Sequence, residues 1–171
     1  WHAGKSNWKR LTSLNKNSIG IEIQNQGHAF KYEKFSVKQI NSIKMLLKVL
    51  IKSYKINPAD VLGHSDIAPG RKKDPGEKFP WRELAKDKLV KWHNLKEKKI
   101  KKDRLKKLNL IEEKIFLKNL NFLGYKNIKK QNHNSNKKFL TEAFQRKYRQ
   151  SLVNGKIDKE CLLISKNLIK S

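Results

Sequence analysis

One cysteine, Cys161, in a chain of 171 residues leaves no partner for an intrachain disulfide. A disulfide-stapled scaffold is therefore excluded, while the redox compartment stays open. Also missing is any apolar run approaching the ~18 residues that a membrane-spanning helix needs. No signal peptide is visible, and the chain opens on Trp1 instead of methionine, so the expectation is a piece whose upstream part lies elsewhere. Acidic residues are few: 15 Asp and Glu stand against 41 Lys and Arg, a formal net charge of +26. Such a balance suits an anionic partner such as nucleic acid, an anionic membrane surface or an acidic wall polymer. The excess is mostly lysine, in company with many Asn and Ile residues, so compositional drift accounts for it equally well. Only four prolines occur, and all lie between residues 58 and 80. They mark an ordered irregular region of the kind where functional residues gather.

What is present begins with the alternating run from Ser18 to Asn25. Ile19, Ile21 and Ile23 share one face and Gly20, Glu22 and Gln24 the other, which predicts a strand with one buried side. Glu22 then faces away from the core beside a glycine that leaves room for a ligand, although a carboxylate there is more often simply solvated. A helix is predicted from about Ser36 to Tyr54, with Ser36 and Gln39 spaced as a capping box. Its stripe of Ile40, Ile43, Leu47, Leu50, Ile51 and Tyr54 reads as core. Asn57-Pro58 starts a short turn, and Val61-Leu62 reads as a short buried strand leading to His64. Trp81, Leu84, Leu89 and Trp92 continue as a short helix or coil.

The stretch from Gly63 to Gly76 sets His64 and Asp74 ten residues apart in a loop stiffened by Pro69, Pro75 and glycines. Those are two metal-ligand types held at fixed separation, with Lys72 close in sequence. Zinc hydrolases use two or three such ligands and keep one position open for water. They add a general base and a cation or donor for the oxyanion. His64 and Asp74 suit the ligands, Glu22 the base and Lys72 the cation. One ligand is still wanting.

The segments Trp1 to Gly4, Ser18 to Glu22, Gly63 to Pro69 and Arg71 to Gly76, with Phe79-Pro80-Trp81 following, resemble the zinc-dependent type-2 N-acetylmuramoyl-L-alanine amidases. The resemblance covers about Trp1 to Trp92. It implies an α/β fold, a central mixed sheet flanked by helices, like that of peptidoglycan recognition proteins. It also implies that His64 and Asp74 bind Zn2+, that Glu22 activates the attacking water and that Lys72 stabilises the tetrahedral oxyanion. The bond cut would be the amide between the lactyl group of N-acetylmuramic acid and L-alanine. His2 would line the substrate groove, unless it merely packs beside Trp1. Members of the family carry a further zinc-binding histidine on an early strand, and neither His2 nor His28 matches it. The expectation is therefore that this chain binds zinc weakly or not at all.

Residues 96–107 read as a charge run, a solvated linker or exposed helix start, with a nucleic-acid-binding arm as the sharper alternative. From about Leu108 to Ser171 come three short helices: one ended by Gly124, one around Leu140 to Tyr148 after a polar loop from Lys126 to Lys138, and one capped by Asp158. This small three-helix C-terminal domain resembles the peptidoglycan-binding modules appended to that branch of amidases. The expected division is thus 1–95 catalytic, 96–107 linker and 108–171 wall-binding. The expected partner is peptidoglycan or a muropeptide, with no specific nucleic acid, for a monomer that is periplasmic or outer-membrane-associated, with an anchor conceivable upstream. A non-catalytic recognition protein on the same fold and a basic nucleic-acid-binding protein are the competing readings.

Overall fold

The computed structural model describes residues 1–126 and 132–170. Part of the polar loop expected from Lys126 to Lys138, and Ser171 at the end of the expected C-terminal unit, lie outside the described residues. The chain opens with a tight antiparallel hairpin, β1 (Asn7–Trp8) and β2 (Leu11–Thr12). Helix α1 (Val37–Tyr54) follows, then the single-turn α2 (His64–Ile67), α3 (Trp81–Lys86) and α4 (Glu97–Lys101). Three longer C-terminal helices complete the chain: α5 (Leu110–Leu123), α6 (His133–Tyr148) and α7 (Lys159–Lys170). No helix among the described residues is long and apolar enough to cross a membrane.

Helix α1 begins where the sequence predicts. Ser36 Oγ accepts from the Gln39 amide and the Gln39 side chain accepts from the Ser36 amide, so two orphan donors are satisfied reciprocally. Its buried residues are Ile40, Ile43 and Leu47, which meet Phe79, Trp81, Leu84, Leu89 and Val90 in one of two cores.

The central mixed sheet does not appear among the described residues. The only sheet among the described residues is the hairpin β1–β2, and the predicted strands at 18–25 and 61–62 carry no ladder. Burial still alternates along 21–25 as expected, with Ile21 and Ile23 packed against the second core and Glu22 and Gln24 exposed. A strand, however, is completed by a neighbour's N–H and C=O groups, and no described strand lies beside this segment. Gln39 Nε2 instead donates to the Gln24 carbonyl at 2.7 Å, and Asn25 Nδ2 to the Glu33 carbonyl at 3.1 Å. Val61 is tied elsewhere again: its carbonyl accepts from Lys147 Nζ at 2.8 Å.

The larger core joins the two ends of the chain. Ala3, Trp8 and Leu14 from the first fifteen residues pack with Ile100 and with Phe116, Leu120, Tyr125, Leu140, Phe144, Leu162 and Leu168. Trp8 meets Tyr125 edge to face at 5.1 Å. Its indole lies so close to Gly124 that a Cβ there would fall 2.6 Å from the ring, while the Lys9 amide donates to the Gly124 carbonyl at 2.9 Å. Gly124 thus ends α5, as predicted, and makes the seat for Trp8 as well.

The charge run at 96–107 is partly folded into this core. Ile100 on α4 is buried, and Arg104 holds Glu160 through Nε at 2.6 Å and Nη2 at 2.9 Å. Asp158 caps α7 by accepting from the Cys161 amide at 3.0 Å. Burial pushes the Cys161 thiol up to about 12, which makes it an inert packing residue at neutral pH.

Candidate active site

His64 stands at the first position of α2, a helix only one turn long because Ala68 and Pro69 end it. The loop beyond α2 folds back so that the Ser65 amide donates to the Asp74 carbonyl at 2.9 Å. That bond brings the two predicted ligands together: His64 Nδ1 lies 2.9 Å from Asp74 Oδ2. Burial works against the charged carboxylate of Asp74. The hydrogen bond and charge of His64, with Lys72 adding its own, outweigh that cost and hold the carboxyl below its usual range.

The other ring nitrogen has its own partner. His64 Nε2 sits 3.3 Å from the Ala3 carbonyl, and Arg71 Nη2 donates to the same carbonyl at 2.8 Å and to that of Lys5 at 2.8 Å. A carbonyl behind the distal nitrogen fixes the ring's orientation and leaves Nδ1 as the natural metal donor. The Ala3 contact left no sign in the sequence, because its acceptor is a backbone carbonyl. Arg71 was visible in the motif yet carried no role.

Three features connect the remaining predicted residues to this point. His2 Nε2 is 2.8 Å from Ser18 Oγ, and its ring lies over Gly20, where a Cβ would come within 2.5 Å of it. Asn15 Oδ1 accepts from the amides of His2 and Ala3 at 3.0 and 2.7 Å, pinning the opening segment across 18–20. Glu22 is exposed two residues further along that segment. The structure therefore joins His64 with Asp74 directly, brings Lys72 into electrostatic range of Asp74, and sets His2 on the segment that carries Glu22. No direct contact links Glu22 to the His64–Asp74 pair.

Tested against zinc, the pair supplies part of a site. Ligands at about 2.0–2.1 Å in a tetrahedron stand roughly 3.3 Å apart, so 2.9 Å between Nδ1 and Oδ2 needs only a small opening. The donors are the right types and the distal nitrogen is correctly supported. Among the described residues, however, no group of three His, Cys, Asp or Glu side chains converges. Neither His2 nor His28 joins the pair: His28 Nε2 is engaged with Glu77 at 3.0 Å.

Gly63 sets the closeness of the loop's two arms. A Cβ on it would lie 2.8 Å from Pro75 Cδ and 3.2 Å from Trp81 Cζ2. Gly63→Ala is expected to cost about 1–3 kcal/mol through this overpacking, read as a drop in the urea midpoint. A variant as stable as the parent would show that the arms are free to part.

The model of the family described as N-acetylmuramoyl-L-alanine amidase matches residues 1–77. The N-acetylmuramoyl-L-alanine amidase AmiD of Escherichia coli is 34% identical over 175 residues, an alignment taking in 99% of this chain and 63% of that protein. The 1,6-anhydro-N-acetylmuramyl-L-alanine amidase AmpD of Haemophilus influenzae is 40% identical over 82 residues, 47% of this chain and 42% of its own length. In structure, Escherichia coli AmiD in complex with the substrate anhydro-N-acetylmuramic acid-L-Ala-D-gamma-Glu-L-Lys superposes with a TM-score of 0.86 at 33% identity. That superposition covers 99% of this chain and 68% of the solved one. The chain spans 63% of the length of AmiD, and the fold it shares with it is the type-2 amidase fold. On sequence and on structure together, the chain belongs to the N-acetylmuramoyl-L-alanine amidase family.

Proposed function

We propose that the protein hydrolyses the amide between N-acetylmuramic acid and L-alanine in peptidoglycan or muropeptides, in cell-wall turnover or recycling. The observation that carries this reading is the His64–Asp74 pair, Nδ1 to Oδ2 at 2.9 Å, with the Ala3 carbonyl behind Nε2. The solved relative was captured with a muropeptide of that bond type.

His64 Nδ1 and Asp74 would hold a Zn2+ ion, with the third protein ligand not among the described residues. When bound, the metal supplies Lewis acidity and makes water a nucleophile near neutral pH. Glu22, exposed on its extended segment, takes the proton of the attacking water and returns it to the leaving amine. Lys72 places its ammonium where the carbonyl oxygen gains charge, and His2 lines the groove. Residues 1–95 would carry this chemistry, 96–107 would join the parts, and 108–171 would bind the wall and raise local substrate concentration. A monomer in the periplasm or at the outer membrane, with no specific nucleic-acid partner, fits that work.

The chain is expected to bind zinc weakly by itself, as two protein ligands would, and to gain affinity when free imidazole is added as a third donor. With zinc and imidazole it should release tripeptide from anhydro-N-acetylmuramic acid-L-Ala-D-gamma-Glu-L-Lys. Glu22→Gln should lower that rate by about 10²–10⁴-fold. Tight one-to-one zinc binding without imidazole would refute the two-ligand reading. A second reading, a non-catalytic recognition protein, draws support from the incomplete ligand set among the described residues. It predicts muropeptide that is bound but never cut under the same conditions.

A further inference from the structure

Directly beneath the His64–Asp74 loop lies a buried polar cluster that belongs to the far end of the chain. Asp66, on the same turn as His64, is fully buried. Its Oδ2 accepts from the Gly63 amide at 2.8 Å and its Oδ1 from the Tyr125 hydroxyl at 2.7 Å. Lys147 on α6 places Nζ 3.5 Å from Oδ2, donates to the Val61 carbonyl and lies 4.7 Å over the Trp81 ring. Lys147 is itself only 2% exposed. At the loop's other end, Gln150 Nε2 donates to the carbonyls of Glu77 and Phe79, both at 2.6 Å.

The contacts have a common geometry. Apart from the Gly63–Asp66 bond, each runs from Tyr125, Lys147 or Gln150 to the loop or its flanks, and together they grip it before His64, at Asp66 and after Asp74. Removing one member of such a cluster leaves its partner buried without compensation, which costs the desolvation of that group. The Gly63 amide is held by Asp66 and the Ser65 amide by the Asp74 carbonyl, and these two residues flank His64 on either side.

We propose that Lys147, Tyr125 and Gln150 are positioning residues for the His64–Asp74 loop, so that the C-terminal helices hold the catalytic constellation in register as well as serving any wall-binding role. The inference rests on the metal reading only for its consequence in catalysis. The grip itself is a property of the folded chain.

The test is amide hydrogen exchange of the full chain, followed residue by residue over 62–79, in Lys147→Met, Tyr125→Phe and Gln150→Ala. Leu168→Ala, in the core of α7 away from the loop, supplies a control of lowered global stability. Compared at matched global stability, the three variants should speed exchange at Gly63 and Ser65 by about tenfold or more, and the control should not. Gln150→Ala and Tyr125→Phe keep the test open should Lys147→Met fail to fold. Loop exchange that follows global stability alone in all three variants would overturn the proposal. Zinc titration with imidazole present separates the two readings. Affinity falling in the same variants supports both the grip and the metal reading. Accelerated loop exchange in a protein that takes up no zinc supports the grip and removes the metal.

Discussion

Arg149→Ala should cost about 3–5 kcal/mol, the range seen when one partner of a buried ion pair is removed. Arg149 is 3% exposed and donates from Nη1 to Asp158 Oδ2 at 2.7 Å, with Glu160 at 3.6 Å. Both carboxylates are almost fully buried. Arg104 neutralises Glu160 from the other side, but Asp158 would keep only the Leu105 and Cys161 amides. An uncompensated carboxylate at the start of α7 loosens the cap of that helix and with it the seat of Leu162 and Leu168. For a chain of this size the loss corresponds to a melting temperature lower by about 6–20 °C. A drop under about 1 kcal/mol in urea titration would mean that water reaches Asp158 and that the pair is not truly buried.

Phe144→Ala is the second large effect, about 3–5 kcal/mol for a truncated buried aromatic. Phe144 is fully buried and has Phe116 edge to face at 5.3 Å, Tyr148 at 5.2 Å and Tyr125 at 6.4 Å. The cavity opens between α5, α6 and the chain's opening segment, since Tyr125 in turn carries Trp8. The same substitution should therefore quench the native fluorescence signature of Trp8 along with the stability. A Trp8 environment unchanged in the variant would show that the two rings are not mechanically joined.

How much of this was legible follows from range along the chain. Helix α1 was readable because its capping box spans only Ser36 to Gln39 and its stripe repeats locally. The His64–Asp74 loop was readable because its restrictions, two prolines and its glycines, sit within fourteen residues. The predicted alternation holds over 21–25 while Ile19 lies exposed, and the predicted ladder is lost, since alternation is written in the segment and pairing in a neighbour. The hairpin β1–β2 gave no turn signal: Lys9 takes the left-handed conformation at φ 52 where Asn or Gly is usual. Helix α6 starts at His133, inside the expected polar loop, because Asn132 caps it while its first turn carries no apolar stripe. Least readable of all was Asp66 with Tyr125 and Lys147, a cluster that only the tertiary fold assembles.

The core that unites Ala3, Trp8 and Leu14 with α5, α6 and α7 bears on how such chains are recombined. A chimera joined anywhere between residues 96 and 107 would break no helix except α4, and on sequence grounds that is the natural breakpoint. It would nonetheless part Trp8 from Gly124 and Asp66 from Lys147 and Tyr125. A transplanted C-terminal unit would need to bring a glycine seat, a buried cation and a phenol at matching heights.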